Sequence, residues 1–101
     1  MAYNPLQPIE SNDRELYDFV EKGRSLAFTD GALGRKEKLL IAAALDAAHG
    51  TAHGVRSLVS QALEAGATRQ EVMETLRVAA FISGAGSVYT AAAGLQELFG
   101  Q

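Results

Sequence analysis

The 101-residue sequence contains no cysteine. Without thiols the chain can form no disulfide, no zinc–thiolate site and no dithiol redox centre, and it has no thiolate nucleophile. Thiol-dependent peroxide reduction and disulfide exchange are therefore excluded. Any chemistry must come from other side chains, and the only imidazoles belong to His49 and His53.

Tryptophan is also absent, aromatic residues make up only 7% of the chain, and there are two prolines. Alanine supplies a large part of the 48% hydrophobic share. This mixture suits helices packed at close range, whereas a strand-rich sandwich needs more β-branched and aromatic residues. The length fits one domain, because domains usually contain roughly 100 to 200 residues. We predict an all-α, single small helical domain over residues 1–101.

Positive charge is scarce and scattered. The chain has 9 Lys and Arg against 12 Asp and Glu, a formal net charge of −3. No basic stripe could follow a phosphate backbone, so we expect no nucleic-acid partner. The longest apolar run, Leu39 to Leu45, is far shorter than the roughly 18 to 20 residues that cross a bilayer, and the N-terminus lacks the pattern of a signal peptide. We expect a cytoplasmic protein with no membrane partner.

Hydrophobic periodicity and capping signals predict about five helices. Asn12 with Glu15 and Thr68 with Glu71 have the spacing of capping boxes, which start helices. Residues 1–10 carry both prolines and are predicted as an extended N-terminal arm. The five helices are predicted at about 13–27, 35–48, 55–65, 68–82 and 88–99.

The second predicted helix, 35–48, is apolar on all sides at its centre, a pattern typical of a helix that is buried on every side. In the last helix, Ala91-Ala92-Ala93-Gly94 allows close contact with another helix, in the same chain or in a neighbouring subunit. Both features indicate that subunits complete each other's cores. We therefore expect a homo-oligomer.

The two histidines are four residues apart, and Asp46 precedes His49 by three. On one continuous helix Asp46, His49 and His53 would lie within about 60° of one another. Two imidazoles and a carboxylate on one face can bind a transition metal or move a proton. Gly50 and Gly54 can instead break the helix, and the histidines would then cap the preceding helix or face solvent.

Two further residues could support chemistry near the histidines. Glu37 would be a general acid or base if it faces the core, and a solvated partner of the helix dipole if it does not. On one straight helix Glu37 and His49 would be about 18 Å apart, so they can meet only if the chain turns near Gly50 or if subunits join. Arg56, three residues after His53, could hold a carboxylate or simply extend into solvent.

Three segments resemble the alkylhydroperoxidase D-like and carboxymuconolactone decarboxylase-like family. They are 35–44 (RKEKLLIAAA), 62–72 (ALEAGATRQEV) and Ile82-Ser83-Gly84. The helix start Ala-Gly-Ala-Thr-x-x-Glu is the most specific of them. The resemblance implies a small AhpD-like, all-helical subunit that assembles as a trimer or hexamer.

The redox branch of that family uses a Glu, a Cys twelve residues later, a second Cys three residues further on and a His four residues after that. Counted from Glu37, the last three positions fall on His49, Ala52 and Arg56. Counted back from the Gly66 turn, the four positions fall on residues 39, 51, 54 and 58. Neither count meets a cysteine, so the redox chemistry of that branch is not expected here.

The decarboxylase branch resembles a cofactor-free acid–base lyase that acts on a small carboxylated lactone, although its characteristic His falls on Leu58. We therefore predict an oligomeric, cofactor-independent enzyme or binder of a small carboxylated molecule. His49 or His53 would move a proton, Glu37 would orient or assist it, and Arg56 would hold the anion.

Two alternatives stay open at this point. One is a non-catalytic oligomeric scaffold whose family pocket is vestigial. The other is a metal-binding protein that uses Asp46, His49 and His53.

Overall fold

A computed structural model describes residues 4–100 of the chain, which form six α-helices and no strand. The all-α prediction is confirmed. The helices are α1 (Gln7–Asn12), α2 (Arg14–Phe28), α3 (Arg35–Ala48), α4 (Ala52–Glu64), α5 (Arg69–Ser83) and α6 (Gly86–Phe99). Within residues 4–100 no helix combines the length and apolarity needed to cross a membrane.

The five predicted helices correspond to α2–α6, and α1 is an addition. Its first turn contains Pro8, where a missing backbone N–H costs no hydrogen bond. The segment that we predicted as an extended arm is therefore helical from Gln7, while residues 1–3 lie outside the described residues.

One of the two predicted capping boxes forms. The Glu71 amide donates to Thr68 Oγ1 at 3.1 Å, and the Thr68 amide donates to Glu71 Oε1 at 2.9 Å. The box predicted at Asn12 is wrong, because Asp13 caps α2 and accepts from the Leu16 amide at 3.0 Å. Aspartate and asparagine are equally good caps, so sequence preference alone does not choose between the two neighbours.

Helices α3 to α6 pack against one another and contain the core. The largest fully buried side chains are Leu39, Val55, Val59 and Val72. Gly94 of α6 is buried where α6 crosses α4, and a Cβ there would lie 2.5 Å from the Ala52 carbonyl oxygen and 3.0 Å from Val55 Cβ. The close contact predicted for the small residues of the last helix is thus made with α4, at the end that carries His53.

Helix α3 is not buried on every side in the single chain. Leu39, Leu40, Ala43 and Ala47 face the core, whereas Ile41 and Leu45 on the opposite side are 48% and 54% exposed. The expectation of an all-round burial is wrong for one chain, because only one side of α3 meets α4, α5 and α6.

The Glu71 carboxylate gives this fold a pH-dependent contact. The Thr68 backbone N–H and then the Lys36 ammonium, 3.0 Å away, hold the pKa of Glu71 below its ordinary value. A carboxyl group whose pKa is lowered by folding stabilises the fold above its unfolded pKa, and this contribution is lost as the pH falls through the folded value. We expect Glu71→Gln to lower the thermal unfolding midpoint at pH 7.

The difference between the wild type and Glu71→Gln should shrink as the pH falls from about 5 to 3, because the wild-type carboxylate becomes protonated. Thermal unfolding followed by circular dichroism over that range checks this. Glu74→Gln is the matched control, since Glu74 lies on the same helix and accepts from the Gln70 side chain. A Glu71→Gln difference that stays constant with pH would contradict the assignment.

Candidate functional site

The polar face of α4 lines a groove. Its side chains recur at spacings of three and four residues, which places them on one side of the helix, opposite the buried Val55, Val59 and Ala62. Leu98 of α6 and Pro5 of the N-terminal segment complete the walls, and the groove encloses about 450 Å³. That volume lies within the range of small-molecule sites. The lining residues of α4 are His53, Arg56, Ser57, Ser60 and Gln61.

Arg56 is the cation of this groove. Its Nη1 atom lies 3.0 Å from Glu97 Oε1 on α6, and the two side chains are 45% and 68% exposed. An exposed ion pair of this kind contributes little to stability, so a ligand carboxylate can replace Glu97 at small cost. The guanidinium can then form a paired hydrogen bond with that carboxylate.

His53 supplies an imidazole to the groove. It is the second residue of α4 and is exposed to solvent. Within residues 4–100 no side chain is hydrogen-bonded to its imidazole, which leaves the ring available to a ligand in the groove. His53 and Arg56 are three residues apart on one helical face, which allows one small ligand to contact both.

His49 does not line this groove. It caps the C-terminus of α3, where its backbone N–H donates to the Leu45 carbonyl oxygen at 3.0 Å. Gly50 follows with a φ of +81°, a conformation that favours glycine, and α4 begins at Ala52. The break means that Asp46, His49 and His53 do not share one continuous helical face.

Glu37 lies at the other end of α3. It is the third residue of that helix, and its Oε2 atom is 3.6 Å from Lys36 Nζ. His49 is twelve positions after Glu37, which is about 18 Å along a helix axis. The structure therefore brings Glu37 together with neither histidine inside one chain.

Asp46 packs against α4. Its carboxylate occupies the space that a Cβ atom on Gly54 would need, together with the Thr51 methyl group. Gly54 is the second Cys position when the family spacing is counted back from Gly66, so any side chain there would displace this carboxylate. Across residues 4–100 no three His, Asp or Glu side chains are grouped as metal ligands would be.

Sequence reasoning missed the other polar lining of the groove. Ser57, Ser60 and Gln61 carry hydroxyl and amide groups that can bind a ligand's oxygens. Their signal was available, because they follow His53 at i+4, i+7 and i+8. The spacing of residues along α4 could not predict that Leu98 lines the groove, because the position of Leu98 depends on the packing of α6 on α4.

A second cleft, of about 380 Å³, lies between the end of α2 and the start of α3. Arg24 and Arg35 line it, and the Arg35 side chain donates to Gln61 Oε1 at 3.2 Å. Neither histidine lines this cleft. Its arginines could attract an anion, but the cleft has no imidazole that could transfer a proton.

Comparison with known proteins identifies the family of this chain. The model of the Carboxymuconolactone decarboxylase family matches residues 14–97. A crystal structure of a carboxymuconolactone decarboxylase family protein from Legionella pneumophila, in its apo form, is 32% identical. The match covers 95% of this chain and 88% of that one, with a TM-score of 0.86. Among curated proteins no sequence matches.

The family match spans α2 to α6 and includes the whole of α4, which carries the groove. No cysteine accompanies it anywhere in the sequence. This chain is a cysteine-free member of the carboxymuconolactone decarboxylase family.

Proposed function

We propose that this protein is a cytoplasmic, homo-oligomeric, cofactor-independent acid–base enzyme or binder that acts on a small carboxylated molecule. The observation that carries the proposal is the placement of His53 and Arg56 in one groove of about 450 Å³. Family membership adds only an analogy for the substrate class, because one fold hosts several chemistries, so the proposal rests on the groove.

The proposal assigns a role to four of the residues that line the groove. Arg56 pairs with the ligand carboxylate through charge-assisted hydrogen bonds. The His53 imidazole takes or gives a proton at a neighbouring carbon or oxygen, because an imidazole ring nitrogen can act as a general base or, once protonated, as a general acid. The hydroxyls of Ser57 and Ser60 donate hydrogen bonds that orient the ligand.

The other predicted site residues, His49 and Glu37, do not act in the groove of their own chain in this proposal. His49 and Glu37 lie outside the groove of their own chain, as described above. They would take part only where an assembly of several copies brings them to a neighbour's groove. The Asp46, His49 and His53 metal site gains no support, since these residues are not grouped within the described chain.

The test is binding of small mono- and dicarboxylates, each paired with its uncharged amide, followed through the NMR signals of the two histidines. We expect the carboxylates to shift the His53 signals and the amides not to do so. Arg56→Gln should weaken carboxylate binding about 10- to 100-fold, which corresponds to the loss of a hydrogen bond to a charged group. His53→Gln should retain most of the affinity and abolish any turnover.

Arg77→Gln is the matched control, because Arg77 is an exposed arginine on α5 outside the groove. Equal affinity in Arg56→Gln and wild type, for every carboxylate that binds, would overturn the assigned site. Failure of all carboxylates to bind would favour the scaffold alternative.

A further inference from the structure

Helix α2 has an apolar side that its own chain leaves uncovered. None of its residues is buried, although its apolar residues recur at helical spacing. Phe19 is 75% exposed and Leu26 is 85% exposed. We call this side the α2 stripe, which comprises Leu16, Phe19, Val20, Gly23 and Leu26.

The stripe faces away from the bundle. At 100° per residue its members lie within about 120° of arc, and Phe28, which packs against the core, lies on a different side of α2. Inside one chain, α2 therefore uses one side to rest on α3 and presents the other to solvent.

A second uncovered apolar surface lies on the bundle itself. Helices α3 and α5 pack side by side, and the Lys36–Glu71 pair joins their first turns. Several apolar side chains of these two helices are exposed, and two on each helix are between 48% and 74% exposed. We call this surface the bundle patch, which comprises Ile41, Leu45, Val78 and Ile82.

The chain exposes more surface than a compact monomer of its mass usually does. A folded chain of 10.7 kDa should expose about 5,500 Å². This chain exposes 6901 Å², an excess of about 1,400 Å² over that expectation. Each partner in a standard protein interface buries about 800 Å², so the excess is sufficient for a stable interface between copies.

We propose that the α2 stripe of one copy docks on the bundle patch of a second copy, and that the α2 stripe of the second copy docks on the bundle patch of the first. A reciprocal exchange covers both apolar surfaces with one closed interface. Pairing of α2 with α2 would leave the bundle patch exposed. This inference rests on the homo-oligomer in the proposed function and names the surfaces that form it.

The charges on α2 favour a protein partner over a membrane. Its charged residues are three basic and three acidic, namely Arg14, Lys22, Arg24, Glu15, Asp18 and Glu21. Helices that lie on anionic membranes carry an excess of Lys and Arg, which is lacking here. The Arg14 guanidinium is also paired with Glu10 and Asp18 at 3.3 and 3.2 Å.

The first test is the oligomeric state of the full chain, measured by native mass spectrometry and sedimentation velocity. We expect an oligomer for the wild type, and at least a 100-fold rise in the dissociation constant for the double variant Phe19→Asp with Leu26→Asp. Because both side chains are exposed in the single chain and the core lies in α3 to α6, the variant monomer should keep the helical circular dichroism of α3 to α6. Ser25→Asp, on the side of α2 away from the stripe, should leave the assembly unchanged.

The second test locates the docking surface and benefits from the cysteine-free sequence. Leu26→Cys and Val78→Cys are made in separate chains, mixed, and treated with a short bismaleimide that joins thiols. We expect a covalent dimer from the mixture and little from either variant alone. The change Arg24→Cys replaces Leu26→Cys in the control mixture, because Arg24 lies off the stripe.

The outcomes separate this inference from the rest of the proposal. A wild-type monomer would overturn both the docking and the homo-oligomer. An oligomer that survives the double variant, or crosslinking of Leu26→Cys only with itself, would overturn the docking and leave the homo-oligomer standing. Vesicle binding by a wild-type monomer would assign the stripe to a membrane. Carboxylate binding in the Arg56 groove is measured independently of all these results.

Discussion

Replacement of Gly94 with valine is expected to lower the free energy of unfolding by about 3 kcal/mol or more. A Cβ at this position already meets the Ala52 carbonyl oxygen and Val55 at 2.5 and 3.0 Å, and the backbone of α4 cannot rotate away as a side chain would. Domains of this size are stable by only about 5–15 kcal/mol, so the loss is a large share of the total. Urea unfolding at one fixed protein concentration measures it.

Gly94→Ala and Gly23→Ala form a matched pair for this prediction. Alanine stabilises an open helical position by up to about 1 kcal/mol over glycine, and a Cβ on Gly23 meets nothing within 4 Å. We therefore expect Gly23→Ala to be neutral or stabilising in the monomer and Gly94→Ala to be destabilising. Equal effects at the two sites would contradict a tight crossing of α4 and α6.

The Gly94 contact also reaches the candidate site. Ala52 immediately precedes His53, so a shift of the first turn of α4 moves the imidazole relative to Arg56. The NMR signals of His53 in folded Gly94→Ala should move more than those of His49. This readout separates displacement of the groove from a uniform loss of stability.

The second large effect is expected at Leu39. This side chain is 1% exposed and lies in the core formed by α3 to α6. Leu39→Ala should cost about 2–5 kcal/mol, because it removes buried methyl groups and leaves a cavity. Leu39→Met, which roughly conserves volume, should cost less than about 1.5 kcal/mol.

Urea unfolding of the two Leu39 variants, again at fixed protein concentration, makes the comparison. A small loss for Leu39→Ala would show that the side chain contributes little packing. Leu39 is also the position of the family's Glu when the spacing is counted back from Gly66. Its burial means that this position supplies packing, and no carboxylate, to the fold.

The helices were predictable because their signals are local. Thr68 and Glu71 lie three residues apart, and the repeat of Val55, Val59 and Ala62 identifies the buried side of α4 without knowledge of its partners. The same spacing rule places His53 and Arg56 on one face. These features depend only on residues within about two turns of each other.

Other features depended on contacts that no local pattern encodes. The exposure of Ile41 and Leu45 follows from the positions of α4, α5 and α6 around α3, because alanine and leucine on all sides do not indicate which side meets the bundle. The separation of Glu37 from His49 follows from the length of α3, because Glu37 lies in its first turn and His49 caps its C-terminus. The predicted constellation failed to assemble within one chain for that reason.

The weak attachment of α1 and α2 has a consequence for the cooperativity of the protein. Neither helix buries a residue, whereas α3 to α6 hold the core, so the two N-terminal helices form a unit that can open while the rest stays folded. If docking on a second copy holds α1 and α2 against the rest of the fold, the fraction of chains in which these two helices are folded depends, by mass action, on the concentration of the protein. Abundance would then set how much of the chain is folded at any moment.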